Sequence, residues 1–388
     1  MTAWDDVRNL INHGEAAPIA EYIATLGNGD RALIARELPG HLSALRDSLD
    51  RFDLIDLGKG FRVAGAATIG GAAAVAIWLG RREYTTEWTY ESPEERDLLL
   101  QVLESRPRNW QADLARRLAL RLRTSGDWGV KLAVELFRRT GAEPPVHDPF
   151  TAGWVAGAEP TGPEVTDDPF FELMLPRIFE AERAGRVLQW QKADDPWIAG
   201  LVATASPARR EMLLAGCVSK FLRGGASADL RYFTRLHEAL EPTAEQIAER
   251  SRDYISLLPA APVNVAELAL ANLRRLDDLD PLDLGEALEG VLFRAERKLV
   301  ASALTWLDRS VRRSPGLAGE LASALVLAFG HSAPDVRDRA VRIALKLVPK
   351  LGPAGMDTIK QAIPVLPPED GEKLAEAFGA EVTETEPG

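Results

Sequence analysis

Catalysis and metal binding need convergent side chains, and in this sequence the groups that could supply them are few and scattered. Five histidines stand at His13, His41, His147, His237 and His331, no two of them at i, i+3 or i+4. A zinc site wants sulfur, imidazole or carboxylate ligands at short spacing, so no local pattern points to a metal. The one cysteine, Cys217, falls on an apolar helical stripe and reads as a small buried hydrophobe rather than a reactive thiol. No Gly-x-Ser-x-Gly elbow is present. The glycines at Gly58-Lys59-Gly60, Gly65 and Gly70-Gly71 lack the preceding strand and the Gly-Lys-Ser/Thr ending of a phosphate loop, and read as sites of close packing. The acidic run from Asp277 to Asp283 has no glycine at the sharp-turn position of a calcium loop, so Asp280 before Pro281, and Asp283, read as helix caps. No catalytic, cofactor-binding or metal-binding residue is expected, and no cofactor.

Charge offers a different chemistry. The chain is acidic overall, at -12, which excludes a surface made throughout for nucleic acid. Yet Arg96–Arg139 carries ten Lys/Arg against five Asp/Glu, and Gly290–Lys350 eleven against five. Arg116, Arg117 and Arg121 in the first segment, with Arg339, Arg342 and Lys346 in the second, form a candidate basic interaction surface. Arginine-rich solvated helix faces are the other reading of the same residues.

The elements that must position these groups are helices. Leu114, Leu118 and Leu122 recur every fourth residue with Arg116, Arg117, Arg121 and Arg123 between them, one apolar stripe on a charged helix. Leu214, Cys217, Val218 and Phe221 make a second stripe, stopped by Gly224-Gly225. Ser92-Pro93-Glu94-Glu95 and Thr243-Ala244-Glu245-Gln246 carry the hydroxyl and third-position carboxylate or amide of capped helix starts. Val63–Leu79 has no charge but is mostly Ala and Gly, which predicts one tightly packed internal helix rather than a membrane span. Six prolines and four glycines between Gly141 and Pro169 predict a connection, partly docked through Phe150, Trp154 and Val155. The expected organisation is an N-terminal helical domain over 1–140, this connection over 141–169, and a C-terminal helical-repeat domain over 170–388 with a short disordered tail.

One turn is more specific. Ser332-Ala333-Pro334-Asp335-Val336-Arg337-Asp338-Arg339-Ala340 follows an apolar helix over Leu317–Phe329 and opens another. It resembles the turn and second helix of a HEAT repeat, and that resemblance implies that Asp335 and Arg337 form a ladder between neighbouring repeats, with Asp335 capping the second helix. On a wider scale Phe61–Ala67, Ala142–Pro145 leading to Gly153-Trp154, Phe221–Gly225, Leu236–Thr243 and Leu299–Arg309 are similar to blocks of an uncharacterised actinobacterial family of HEAT-like proteins, a domain of unknown function. The resemblance implies an all-α fold of irregular HEAT-like repeats, an α-solenoid of stacked hairpins, and brings no activity with it. Members of that family extend further, so Gly388 is expected to end a short member or one without its C-terminal portion. Gln189-Trp190-Gln191 resembles the glutamine-aromatic-glutamine motif of one bacterial DNA glycosylase family.

The function these readings predict is a non-catalytic scaffold or adaptor that binds a protein through a helical-repeat surface. The alternative is a nucleic-acid-binding helical-repeat protein, glycosylase-like if it is an enzyme. A single cysteine and an acidic N-terminus, Met1-Thr2-Ala3-Trp4-Asp5-Asp6, predict a cytoplasmic protein with no membrane partner.

Overall fold

The computed structural model describes residues 2–86, 91–157, 167–188 and 196–379. Among them the regular structure is all helical, with no strand. No helix there is long and apolar enough to cross a membrane. The Gln189-Trp190-Gln191 motif and the C-terminal tail lie outside the described residues.

The chain divides into two compact units, Met1–Thr204 and Ala205–Gly388. The boundary thus falls after Thr204 and not within 141–169. The reason is local: Phe150, Trp154 and Val155 are buried, and they make the proline-rich stretch part of the first unit.

The first unit opens with α1 (Ala3–Asn12), α2 (Ala16–Ala24), α3 (Asn28–Ser48) and α4 (Arg51–Asp56). Next come α5 (Gly58–Thr68), α6 (Ala72–Leu79), α7 (Pro93–Glu104), α8 (Arg108–Arg121) and α9 (Val130–Thr140). It ends with α10 (Asp148–Gly157), α11 (Phe171–Glu180), α12 (Ala184–Leu188) and α13 (Pro196–Ala203). Helix α5 is its hub, packing against α1, α2, α3, α4, α6 and α7. Every residue of α5 except Lys59 is buried. Only small side chains permit such enclosure. A Cβ at Gly65 would overlap the indole of Trp78 on α6, whose Nε1 donates to the Phe61 carbonyl at 2.7 Å.

Val63–Leu79 is therefore not the single helix that its composition predicts. Helix α5 stops at Thr68, and Gly71 caps the start of α6. Arg106 donates to the carbonyls of Ala67 and Ile69 at 3.2 and 2.8 Å, and Trp110 Nε1 to that of Gly70 at 2.8 Å. These bonds satisfy backbone acceptors that a helix terminus leaves open.

The second unit contains α14 (Pro207–Arg223), α15 (Ser227–Ala239), α16 (Ala244–Ala248), α17 (Ser251–Leu257) and α18 (Val263–Leu273). It continues with α19 (Pro281–Leu292), α20 (Arg297–Arg313), α21 (Ala322–Leu327), α22 (Pro334–Leu347), α23 (Pro353–Ala362) and α24 (Pro368–Phe378). Two rows of contacts run through it, one joining α14, α17, α19, α21 and α23 in that order, the other α15, α18, α20, α22 and α24. Cross-contacts pair α14 with α15, α17 with α18, α19 with α20, α21 with α22 and α23 with α24. The caps read from sequence are there: Thr243 and Gln246 close both halves of a capping box, and Gly224, at φ +77°, stops α14. The apolar helix predicted over Leu317–Phe329 is shorter, α21 being flanked by single 3-10 turns at Pro315–Ala318 and Ala328–Gly330. Asp280, and not Asp283, caps α19, because the helix begins at Pro281; Asp283 instead pairs with Arg252 at 2.6 Å.

Candidate functional site

The basic residues singled out in the first unit share one helix but not one concavity. Arg116, Arg117 and Arg121 are all exposed on α8, opposite the buried Leu114 and Leu118. Arg117 is engaged by Asp113 one turn earlier, at 2.9 Å. Arg121 alone of the three lines a concavity of about 750 Å³, together with Arg123 and with Arg81 and Arg82, which follow α6. Ile77, Leu118, Leu122 and Trp128 line the same cleft, as do Thr85, Thr86 and Thr124. Arg81 is held by Glu83 at 2.7 Å.

Behind the Trp128 wall lies an ion pair that sequence reasoning missed. Arg62 on α5 and Glu95 on α7 are each 1 % exposed, and Arg62 Nε donates to Glu95 Oε1 at 2.5 Å. Arg62 Nη1 donates to the Tyr84 carbonyl at 3.1 Å, and its guanidinium lies 4.7 Å from the Trp128 ring centroid. Ser92 caps α7 as its sequence predicts, accepting from the Glu95 N–H at 3.2 Å. The Glu95 carboxylate does not complete the box, because it is committed to Arg62. Nearby, Glu91 accepts from Gly129 N at 3.2 Å, and burial, with the Glu95 charge adding to it, pushes its carboxyl up to about 7. Thr85 Oγ1, Glu91 Oε1, Glu95 Oε2 and Trp128 Nε1 are buried without a hydrogen-bond partner. Neither Glu91 nor Glu95 lines the cleft, so this cluster braces the wall rather than facing a ligand. A charged residue at the border of the uncharged Val63–Leu79 run was the one available signal.

In the second unit the ladder residues are bonded differently from the HEAT expectation. Asp335 sits in the first turn of α22 but caps no backbone N–H. Its carboxylate instead accepts from Arg297 Nε on α20 at 2.9 Å. Arg337 turns back onto its own loop, donating to the carbonyls of His331 and Ser332 at 2.7 and 3.0 Å. Arg339, assigned from sequence to the candidate basic surface, reaches α20 and donates to Thr305 Oγ1 at 2.8 Å. The start of α22 is closed by His331 Nδ1, which accepts from Ala333 N at 3.0 Å. Arg342 and Lys346 lie exposed on the same helix.

No family model, curated protein or solved structure matches this chain. Its functional groups are therefore weighed on their own surroundings. Cys217 is buried and its thiol pushed up by burial, the opposite of activation. His237 is buried, bonds Tyr254 Oη at 2.7 Å, and is held down to about 4 by burial, with Arg275 adding to it. Among the described residues no group of three or more His, Cys, Asp or Glu side chains could hold a metal ion.

Proposed function

We propose that this protein is a non-catalytic scaffold that holds a protein partner on a HEAT-like stack of helical hairpins, as an irregular member of the HEAT-like class that its sequence resembles. The observation that carries this reading is the order of bonding in the second unit. Apart from His237–Tyr254, which spans 17, side-chain bonds between separate helix pairs there span 28 to 39 residues, from Arg274–Ser302 at the short end to Arg250–Glu211 at the long end. Arg252–Glu286, Arg275–Pro242, Arg294–Leu258, Arg297–Asp335, Arg313–Asp277, Ser323–Glu289 and Arg339–Thr305 fall between. A spacing of that size is one helical hairpin, so the first four pairs are tied in succession, and the fifth joins them through the packing of α23 on α21 and of α24 on α22. Stacks of this kind bury one face of each hairpin against its neighbours and leave successive helix ends open along their length, the geometry of an extended binding surface. At such ends two large apolar side chains stand in solvent, Leu282 at 80 % and Phe293 at 81 % exposure.

Affinity purification of the wild-type chain beside Leu282→Asp and Phe293→Asp variants tests it. A partner held by the wild type and lost by either variant, then reproduced by titration with the purified partner, is the expected result. Recovery of nucleic acid instead, with binding that falls steeply as salt rises, favours the alternative reading. A chain that recovers nothing in reproducible stoichiometry sinks the scaffold.

A further inference from the structure

The arginine-lined cleft of the first unit is used by nothing described above. Arg82, Arg121 and Arg123 are exposed at it, and none of the three has an ion pair or side-chain hydrogen bond among the described residues. Arg81 also faces it, but with its charge balanced by Glu83. Among the described residues the one carboxylate in the lining, Asp127, is occupied: Oδ2 accepts from the backbone N–H of Arg123 and Thr124 at 2.6 and 3.2 Å, and Oδ1 from Thr124 Oγ1 at 2.6 Å. Three guanidinium groups without an ion pair among the described residues thus share one concavity with the single Asp127 charge, which leaves it net positive, and each raises the potential felt by the others. Guanidinium groups are donors only, so a wall built on them suits a ligand made of acceptors.

We propose that this cleft binds a small molecule bearing two or more phosphate groups. Guanidinium forks match phosphate oxygens two at a time, which favours phosphate over a lone carboxylate. Arg82, Arg121 and Arg123 together offer more guanidinium donors than the three oxygens of one phosphate group can take up. A volume of about 750 Å³ is enough to take a small molecule. Ile77, Leu122 and Trp128 supply an apolar side that an organic group attached to the phosphates could cover. These residues are separate from those that carry the scaffold reading, so the two stand or fall apart.

Isothermal titration of the full chain with tripolyphosphate, ATP, inorganic phosphate and malonate tests it, at low and at physiological salt. Wild type is expected to bind tripolyphosphate saturably at one site, and inorganic phosphate and malonate much more weakly. Arg121→Ala/Arg123→Ala should weaken tripolyphosphate by at least about tenfold, the scale of one charge-assisted bond. Arg116→Ala, on the same helix outside the cleft, should leave it unchanged. ATP binding tighter than tripolyphosphate identifies a nucleotide-like ligand, and equal binding an inorganic oligophosphate. Both outcomes support the site. No saturable binding of either, equal affinity for malonate, or equal losses in the Arg116 and Arg121/Arg123 variants overturns it. Circular dichroism of each variant separates lost binding from lost fold.

Discussion

The two units solve the same packing problem in opposite ways. In the first, six helices converge on α5, which has almost no surface left. In the second, no helix holds that place, and each one packs chiefly on its pair mate and on its counterparts in adjacent pairs. The difference sets which side chains can be charged at no cost. On α20 or α22 an arginine faces solvent or a neighbouring pair, as Arg297 and Arg339 do. On α5 an arginine must be matched inside the core, and Arg62 is matched by one carboxylate, one carbonyl and two aromatic rings.

The strongest way to break the comparison is at that matched arginine. Arg62→Met leaves Glu95 buried and unpaired, and should cost about 3–5 kcal/mol, whereas Arg62→Met/Glu95→Leu should recover much of it. Chemical denaturation of both variants decides this, and a loss under about 1 kcal/mol for the single change would mean that the hub tolerates a bare carboxylate. The next effect is pH-dependent. Glu91 is pushed up to about 7 in the fold, from 4.5 in the unfolded chain. The folded state keeps this proton while the unfolded state releases it, so the group's contribution is full below about 4.5 and is lost as pH rises to about 7. The loss is on the order of 3 kcal/mol, and Glu91→Gln should flatten that part of the stability profile. Parallel profiles for wild type and variant would remove Glu91 from the account.

Glycines sharpen the contrast within the hub itself. Gly65→Leu must displace the Trp78 indole and should cost about 1–3 kcal/mol or more, while Gly71→Leu enters open space and should leave the melting temperature nearly unchanged. The smallest effect belongs to the second unit. The Asp335–Arg297 pair is exposed on both sides, so Asp335→Ala should cost under about 1 kcal/mol and less still in high salt. Arg339→Ala should cost a similar amount through its bond to Thr305, without the salt dependence. A much larger loss at Asp335 would restore the capping role that the turn sequence predicts.

What could be read in advance followed from one-sided burial. Helices α8 and α14 each hide one stripe, and the caps at Ser92, Thr243 and Gly224 are local chemistry, so periodicity and spacing place them correctly. Helix α5 is buried all round and has no stripe to read, which is why its run merged with α6 and why Arg62 went unnoticed. The arginine cleft was half legible. Arg121 and Arg123 stand in the basic segment, but Arg81 and Arg82 reach the cleft from about forty residues earlier in the chain, through a packing of α6 on α8 that no local pattern encodes. Asp335 failed for a related reason: its partner depends on the register of α20 against α22.

The short sequence span of the bonds in the second unit also bears on how that unit is made. Bridges of 17 to 39 residues join only neighbouring hairpins and none spans the whole unit, and the lower the sequence separation of contacts the faster they form. A region bonded pair to pair has no single keystone whose loss must open all of it. Hydrogen exchange is then expected to be graded along the unit, with the amides of α23 and α24, which close one end of the two rows, exchanging before those of α18 to α20. The first unit, tied through α5, should instead protect its central amides together and release them together.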